Sequence, residues 1–178
     1  MDNPIKSYCQ AIRKGKLSEV HKIYHDTAYG FPINDDNELF GRLIFEINQA
    51  GLSWDTILKK QENFRKAYAN FDIDKIAAFD ENDRGRLMDD AGIIRNKLKV
   101  NAAIHNAQKI QELQKEHGSF KAWLDKNNPL SKEEWVKLFK KTFKFTGGEI
   151  TNEFLMSTGY LPGAHDKDCP VFKEIAEL

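Results

Sequence analysis

Apolar residues in this chain recur mainly at helical spacing. Leu39, Phe40, Leu43, Ile44 and Ile47 fall three and four apart and mark one buried helix face. Asp35 or Asp36 stands where a cap is needed. Gln49-Ala50-Gly51-Leu52 reads as a joint, and a second helix starts near Ser53 with Trp54, Ile57 and Leu58 inward. Phe71-Asp72-Ile73-Asp74 predicts a turn, then a short helix through Ile76 and Phe79. Asn82 or Asp83 caps another short helix carrying Leu87 and Met88. Val100, Ile104, Ala107, Ile110 and Leu113 predict a long helix, broken by Gly118. Asn127-Asn128-Pro129 is a turn, and Ser131-Lys132-Glu133-Glu134 is a capping box for a helix with Trp135, Leu138 and Phe139. Phe145-Thr146-Gly147-Gly148 separates that helix from one over 149–158, closed by Gly159. Strand signals are scarce, so the pattern predicts an all-α fold.

Composition adds a size and a class. The chain has 178 residues, enough for one domain or for two small ones sharing a core. With 40% hydrophobic residues and 12 Phe it is not a disordered chain. No apolar run approaches the ~20 residues that span a bilayer. Met1 to Gln10 carries no apolar stretch of signal-peptide type, so a cytoplasmic protein is expected.

Charge first argues against nucleic acid, because 27 Lys and Arg balance 27 Asp and Glu. Taken by region the balance breaks. Residues 95–144 carry 12 basic and five acidic side chains, a net +7, between an acidic N-terminal part and an acidic tail. That stretch is either a solvated helical surface or a patch that meets phosphates.

Three groups of residues carry candidate chemistry. In Leu87-Met88-Asp89-Asp90-Ala91-Gly92-Ile93-Ile94-Arg95-Asn96-Lys97 a short helix runs into a glycine turn and a longer helix follows. Gly92 allows a left-handed or tight backbone there. Free N–H groups at the start of the second helix, flanked by Arg95, Lys97 and Lys99, suit a phosphate; a plain helical joint fits the same spacing. Cys9, His25, His165 and Cys169 would make a Cys₂His₂ tetrahedron tying the two ends of the chain; the alternative is free buried thiols and surface histidines. His21, His105 and His117 read as helix-surface residues. Glu46, in Leu43-Ile44-Phe45-Glu46-Ile47, is either a solvent-edge acid or an acceptor for a flat cationic ligand between Tyr24, Tyr29 and Trp54.

These segments occur in a recognisable order. Tyr24-His25-Asp26, Tyr29-Gly30, Glu46, Gln49-Ala50-Gly51-Leu52-Ser53-Trp54, Asp90-Ala91-Gly92-Ile93-Ile94-Arg95, Phe143-Lys144-Phe145 with Gly147, and His165 with Cys169 follow one another over nearly the whole chain. The sequence resembles the DNA-3-methyladenine glycosylase I family. That resemblance implies a helix-hairpin-helix fold of two helical lobes with a cleft, a single glycosylase domain over residues 1–178, and a hairpin at about 85–106. It implies a structural zinc on Cys9, His25, His165 and Cys169. It implies monofunctional hydrolysis of the N-glycosidic bond of 3-methyladenine in alkylated double-stranded DNA. Nothing in the sequence demands more than a monomer, and no membrane or protein partner is expected. Glu46 takes the catalytic assignment and contacts the extruded base, with Tyr24, Trp54 and Tyr29 around it. Gln49 and Leu52 enter the duplex, and Gly92, Ile94, Arg95 and Lys99 meet the backbone. Neither a catalytic aspartate nor a Schiff-base lysine is expected. The chain departs from the family pattern at His21, Tyr29, Glu149 and Asn152 and has no tryptophan after Cys9. Those departures keep open a glycosylase of different alkyl-base preference, and a non-catalytic zinc-containing DNA-binding protein.

Overall fold

A computed structural model describes residues 4–178. Met1, Asp2 and Asn3, part of the N-terminal stretch searched for a leader, lie outside the described residues. The described chain is helical: α1 (Tyr8–Arg13), α2 (Glu19–Thr27), α3 (Asp36–Gln49), α4 (Trp54–Lys59), α5 (Gln61–Ala67), α6 (Ile73–Ala77), α7 (Glu81–Asp89), α8 (Lys97–His117), α9 (Phe120–Asn127), α10 (Lys132–Thr142), α11 (Gly148–Ser157) and α12 (Pro170–Ala176). No strand occurs among the described residues, and no helix there is long and apolar enough to cross a membrane. The chain divides into two compact units, one running up to Pro32 and resuming at Leu155–Leu178, the other Ile33–Phe154.

The larger unit forms around α3. Leu39, Phe40, Leu43, Ile44 and Ile47 are each at most 1% exposed, as their spacing requires. Asp35 caps α3 by accepting from Glu38 N, while Asp36 turns outward to another helix. Its carboxylate accepts from the backbone N–H of Phe120 and Lys121 and from Gln114 Nε2, so one acid holds the free amides at the start of α9. Phe120, Trp123, Phe139, Phe143 and Phe154 form an aromatic cluster with ring centroids 5.3 to 6.3 Å apart.

Gly41 lies inside α3, where helix propensity alone disfavours it. A Cβ there would sit 2.4 Å from the Phe71 ring. That ring is held by Ala69–Phe71, where φ is 51°, 57° and 60° in succession, a left-handed turn costly for side-chain-bearing residues. Gly41→Ala is therefore expected to destabilise by about 1–3 kcal/mol, although in an open helix the same change would stabilise. Urea unfolding monitored by circular dichroism reads this directly.

Several boundaries differ from the sequence expectation. Asp80 caps α7, not Asn82 or Asp83: its Oδ1 accepts from both of their backbone N–H groups, and Asp83 Oδ2 accepts from Asp80 N. The helix opened by Ser53 ends at Lys59, and α5 starts after Lys60. The stretch between Gly118 and the Asn127 turn, without an assigned element, is α9, capped by Ser119.

The smaller unit contains α1, α2 and α12. Cys9, Cys169 and Val171 form a small apolar cluster there, with Phe31 and Ile175 against it; Ala11, Tyr24, Tyr29 and Leu155 are also buried in this unit.

Candidate functional site

The two ends of the smaller unit meet at four side chains. Cys9, at the second position of α1, His25 of α2, His165 of the preceding loop and Cys169, the N-cap of α12, are all buried. Their ligand atoms lie within 4.8 Å of one another, so they could hold a metal ion. Cys9 Sγ lies 3.3 Å from His25 Nε2 and 3.5 Å from His165 Nδ1; for Cys169 Sγ the distances are 3.8 and 3.9 Å. A tetrahedral ion with sulfur at about 2.3 Å and nitrogen at about 2.05 Å separates the two donor types by about 3.6 Å, inside that range.

The outer nitrogens agree. His25 Nδ1 is 2.7 Å from Asp26 Oδ1, and His165 Nε2 is 2.6 Å from Tyr29 O. Each acceptor fixes the ring proton on the outer nitrogen, leaving the inner lone pair for a metal. Burial lowers the His165 pKa, which favours the neutral ligand form. Burial raises the Cys9 thiol, and its neighbour Cys169 raises it further. Two adjacent buried thiolates therefore need a cation to be stable.

Tyr24 and Tyr29 stand against this cluster. Their ring centroids are 5.6 Å apart, and Tyr29 is 5.5 Å from His165. His21, expected on the surface, is 6% exposed because Tyr8 covers it: the Tyr8 hydroxyl is 2.9 Å from His21 Nδ1 and donates to His21 O.

In the larger unit Glu46 of α3 is 4% exposed, so the solvent-edge reading fails. Its carboxylate accepts no hydrogen bond from a described residue. Burial raises its pKa to about 8; Glu153 adds to the rise and Arg42 opposes it. An acid buried without donors is costly, and acceptor capacity left open inside a protein suits a ligand bearing N–H groups.

Trp54 begins α4, three positions past a rigid joint. Gly51 has φ of 79°, Leu52 N donates to Gln49 O, and Gln49 Nε2 donates to Leu52 O. Leu52 is left 40% exposed. Lys99 belongs to this joint and not to a phosphate site. It is 4% exposed, and its Nζ donates at 2.8 Å to both Asn48 O and Ala50 O, closing the C-terminal end of α3. The expected DNA contact through Lys99 is corrected accordingly.

The hairpin runs from α7 through residues 90–96 into α8. Gly92 is not left-handed; it sits in tight space, since a Cβ would lie 2.9 Å from Asp90 Oδ1 and 3.1 Å from Asn63 Cβ. Gly92 N donates to Asp90 Oδ1, and Asn96 caps α8 through Lys99 N. The N–H groups of Ile94 and Arg95 have no acceptor among the described residues, and the Arg95 and Lys97 side chains make no ion pair there.

A sequence profile of the methyladenine glycosylase family matches residues 14–135. The chain belongs to this family. It is 46% identical to DNA-3-methyladenine glycosylase 1 of Escherichia coli K12 over 91 residues; that match spans 51% of this chain and about half, 49%, of the relative. It is 33% identical to DNA-3-methyladenine glycosylase of Haemophilus influenzae, over 83% of this chain and 89% of that one. The structure of 3-methyladenine DNA glycosylase I from Staphylococcus aureus, solved for the basis of 3-methyladenine recognition, superposes with a TM-score of 0.81 at 30% identity. That superposition covers 93% of this chain and 97% of the other.

Within this methyladenine glycosylase chain, the structure brings the four expected metal ligands together in one unit, with Tyr24 and Tyr29 beside them. Glu46, Gln49, Leu52, Trp54, Gly92, Ile94 and Arg95 lie in the other. Sequence reasoning missed Asp26 as the partner of His25, although an acid directly after a candidate ligand is a usable signal.

Proposed function

We propose that this protein is a monofunctional DNA glycosylase that removes 3-methyladenine from alkylated double-stranded DNA. The observation that carries this reading is Glu46, a buried carboxyl with open acceptor capacity in a chain of the methyladenine glycosylase family. Methylation at N3 makes the adenine cationic. Once the nucleotide is flipped out of the stack, its N–H groups can donate to Glu46. Trp54, in the same unit as Glu46, offers an aromatic face to the flat cation. Water adds at C1′ and releases a proton, while the electron pair of the C1′–N9 bond leaves with the base as neutral 3-methyladenine. Glu46 binds the base; holding the cation alone would not accelerate cleavage, so the departing neutral base must be tolerated at least as well.

In this reading residues 1–178 act as one domain and as a monomer. The free amides and cations at the hairpin tip hold the DNA backbone without reading sequence, with Gly92 and Ile94 shaping the turn. Gln49 and Leu52 enter the duplex where the nucleotide leaves. The ion on Cys9, His25, His165 and Cys169 is zinc, suited to two thiolates and two imidazoles; it cross-links the unit and takes no part in the chemistry. A soluble, cytoplasmic enzyme fits such a substrate.

The test is base release from methylated duplex DNA, separated by chromatography and identified by mass. The wild-type protein should release 3-methyladenine as the dominant base. Trp54→Ala should lower kcat/KM by about 5- to 150-fold, the scale of one lost base–aromatic stack. If excess wild-type enzyme releases no base, the reading fails; if another alkyl base dominates, the specificity assigned here is wrong.

A further inference from the structure

Outside the residues used so far, the larger unit holds a groove of about 400 Å³ lined by Leu98, Asn101, Ala102, His105, Lys144 and Phe145. Its walls combine two features rarely left on a surface without use. Leu98 is 68% exposed and Phe145 37% exposed, side by side on the lining. Phe145 also has φ of 61°, a left-handed backbone that costs a non-glycine residue about 1–2 kcal/mol. The surroundings hold that conformation in place. Asn106, fully buried, donates from Nδ2 to Lys144 O and accepts at Oδ1 from Lys144 N, fastening the loop to α8. Thr146 Oγ1 donates to Phe139 O.

Charge and position select the occupant. Lys144 makes no ion pair with a described residue; burial first, and then the nearby charges of Lys144 and Lys109, oppose protonation of His105. Asn101 gives its amide oxygen to Arg84 Nε, leaving its NH₂ as a donor. The groove begins in the first turn of α8, at Leu98, next to the free amides and cations of the hairpin tip. A phosphate alone needs no apolar floor; a base together with its phosphate needs both parts. The volume suits one nucleotide.

We propose that this groove binds one unpaired nucleotide of a DNA strand, the base against Phe145 and Leu98 and the phosphate at Lys144. The proposal rests on the DNA-directed reading above and adds to it a place for single-stranded DNA apart from the lesion base.

The test is the affinity of the full chain for a fluorescent oligothymidylate free of damage, with folding checked by circular dichroism. Phe145→Ala should weaken binding by about 5- to 150-fold, as one base–aromatic contact is lost. Lys144→Ala should weaken it and reduce the slope of log K against log salt by about 0.7, one single-strand phosphate contact. Phe172→Ala, an exposed aromatic on α12, should change nothing. Phe145→Leu and Lys144→Gln give gentler variants should the alanines unfold. Folded Phe145 variants that bind like wild type overturn the proposal, whatever Lys144→Ala does, and so does equal loss with Phe172→Ala. Because the oligonucleotide carries no lesion, this affinity is read apart from excision: absence of base release from methylated duplex DNA would sink the glycosylase reading without touching this result.

Discussion

Glu46→Gln is expected to gain stability relative to wild type as pH rises, and to lose the pH dependence of base excision. The folded carboxyl titrates at about 8, against 4.5 for the free side chain, because burial outweighs the favourable charge of Arg42. Between those values the unfolded chain has released the proton that the folded chain keeps. Wild-type stability therefore falls by about 1.4 kcal/mol for each pH unit in that window and levels off above it. Glutamine has no proton to lose, so the difference between variant and wild type should widen from pH 5 to pH 8. Thermal melts across that range check the sign; a difference that does not change with pH would show that Glu46 ionises freely. Catalysis should move the opposite way. If the carboxylate form accepts the N–H groups of the cationic base, wild-type kcat/KM should rise with pH, reach half its maximum near 8 and level off above that, since this ratio reports the free enzyme. Glu46→Gln should show no such rise, and its plateau should lie about 10- to 100-fold lower, the worth of a hydrogen bond to a charged group. The same burial that weakens the fold above neutrality thus prepares an acceptor for a charged base.

How much of this was legible in the sequence depends on the range of the contact. The caps of α3, α4 and α10 are local, within three residues, so Ser53 and Ser131 could be read off directly and the α3 cap narrowed to Asp35 or Asp36. The buried face of α3 was legible for the same reason. Gly41 was not, because the ring that demands it is Phe71, thirty positions on and held in a left-handed turn. The α9 start is held by Asp36, 84 residues earlier, so no local signal announced it. Lys99 misled for a related reason. Beside Arg95 and Lys97 it reads as one more surface cation, but α8 turns it inward onto the carbonyls of Asn48 and Ala50. His21 read as a surface residue because Tyr8, which buries it, sits on a separate helix. For Glu46 the sequence offered two environments, and only the packing of α3 decided between them.

Removing the metal is expected to loosen the smaller unit and leave the larger one intact. The apolar core cluster that joins α1 to α12 is only Cys9, Cys169 and Val171 with two partly covered neighbours, too little to replace a cross-link between chain segments some 160 positions apart. Two of those three core residues are themselves ligands. A strong chelator, or Cys169→Ala, should therefore speed amide hydrogen exchange through 8–27 and 165–176 while α3 and α8 keep their protection. Cys169→Ala should also abolish stoichiometric zinc in elemental analysis, since it removes one of the four donor atoms that lie within 4.8 Å of one another. Asp26→Ala is the finer probe. It leaves all four ligands in place and removes only the carboxylate that holds the His25 Nδ1 proton, which should weaken metal affinity by about 10- to 100-fold. Asp26→Asn, which keeps an acceptor oxygen at that position, should recover part of the loss. Protein prepared without chelator that carries almost no zinc, yet melts like the metal-loaded form, would overturn the four-ligand site. In that case the two buried thiols would have to be held neutral by packing alone, consistent with the direction in which burial moves Cys9.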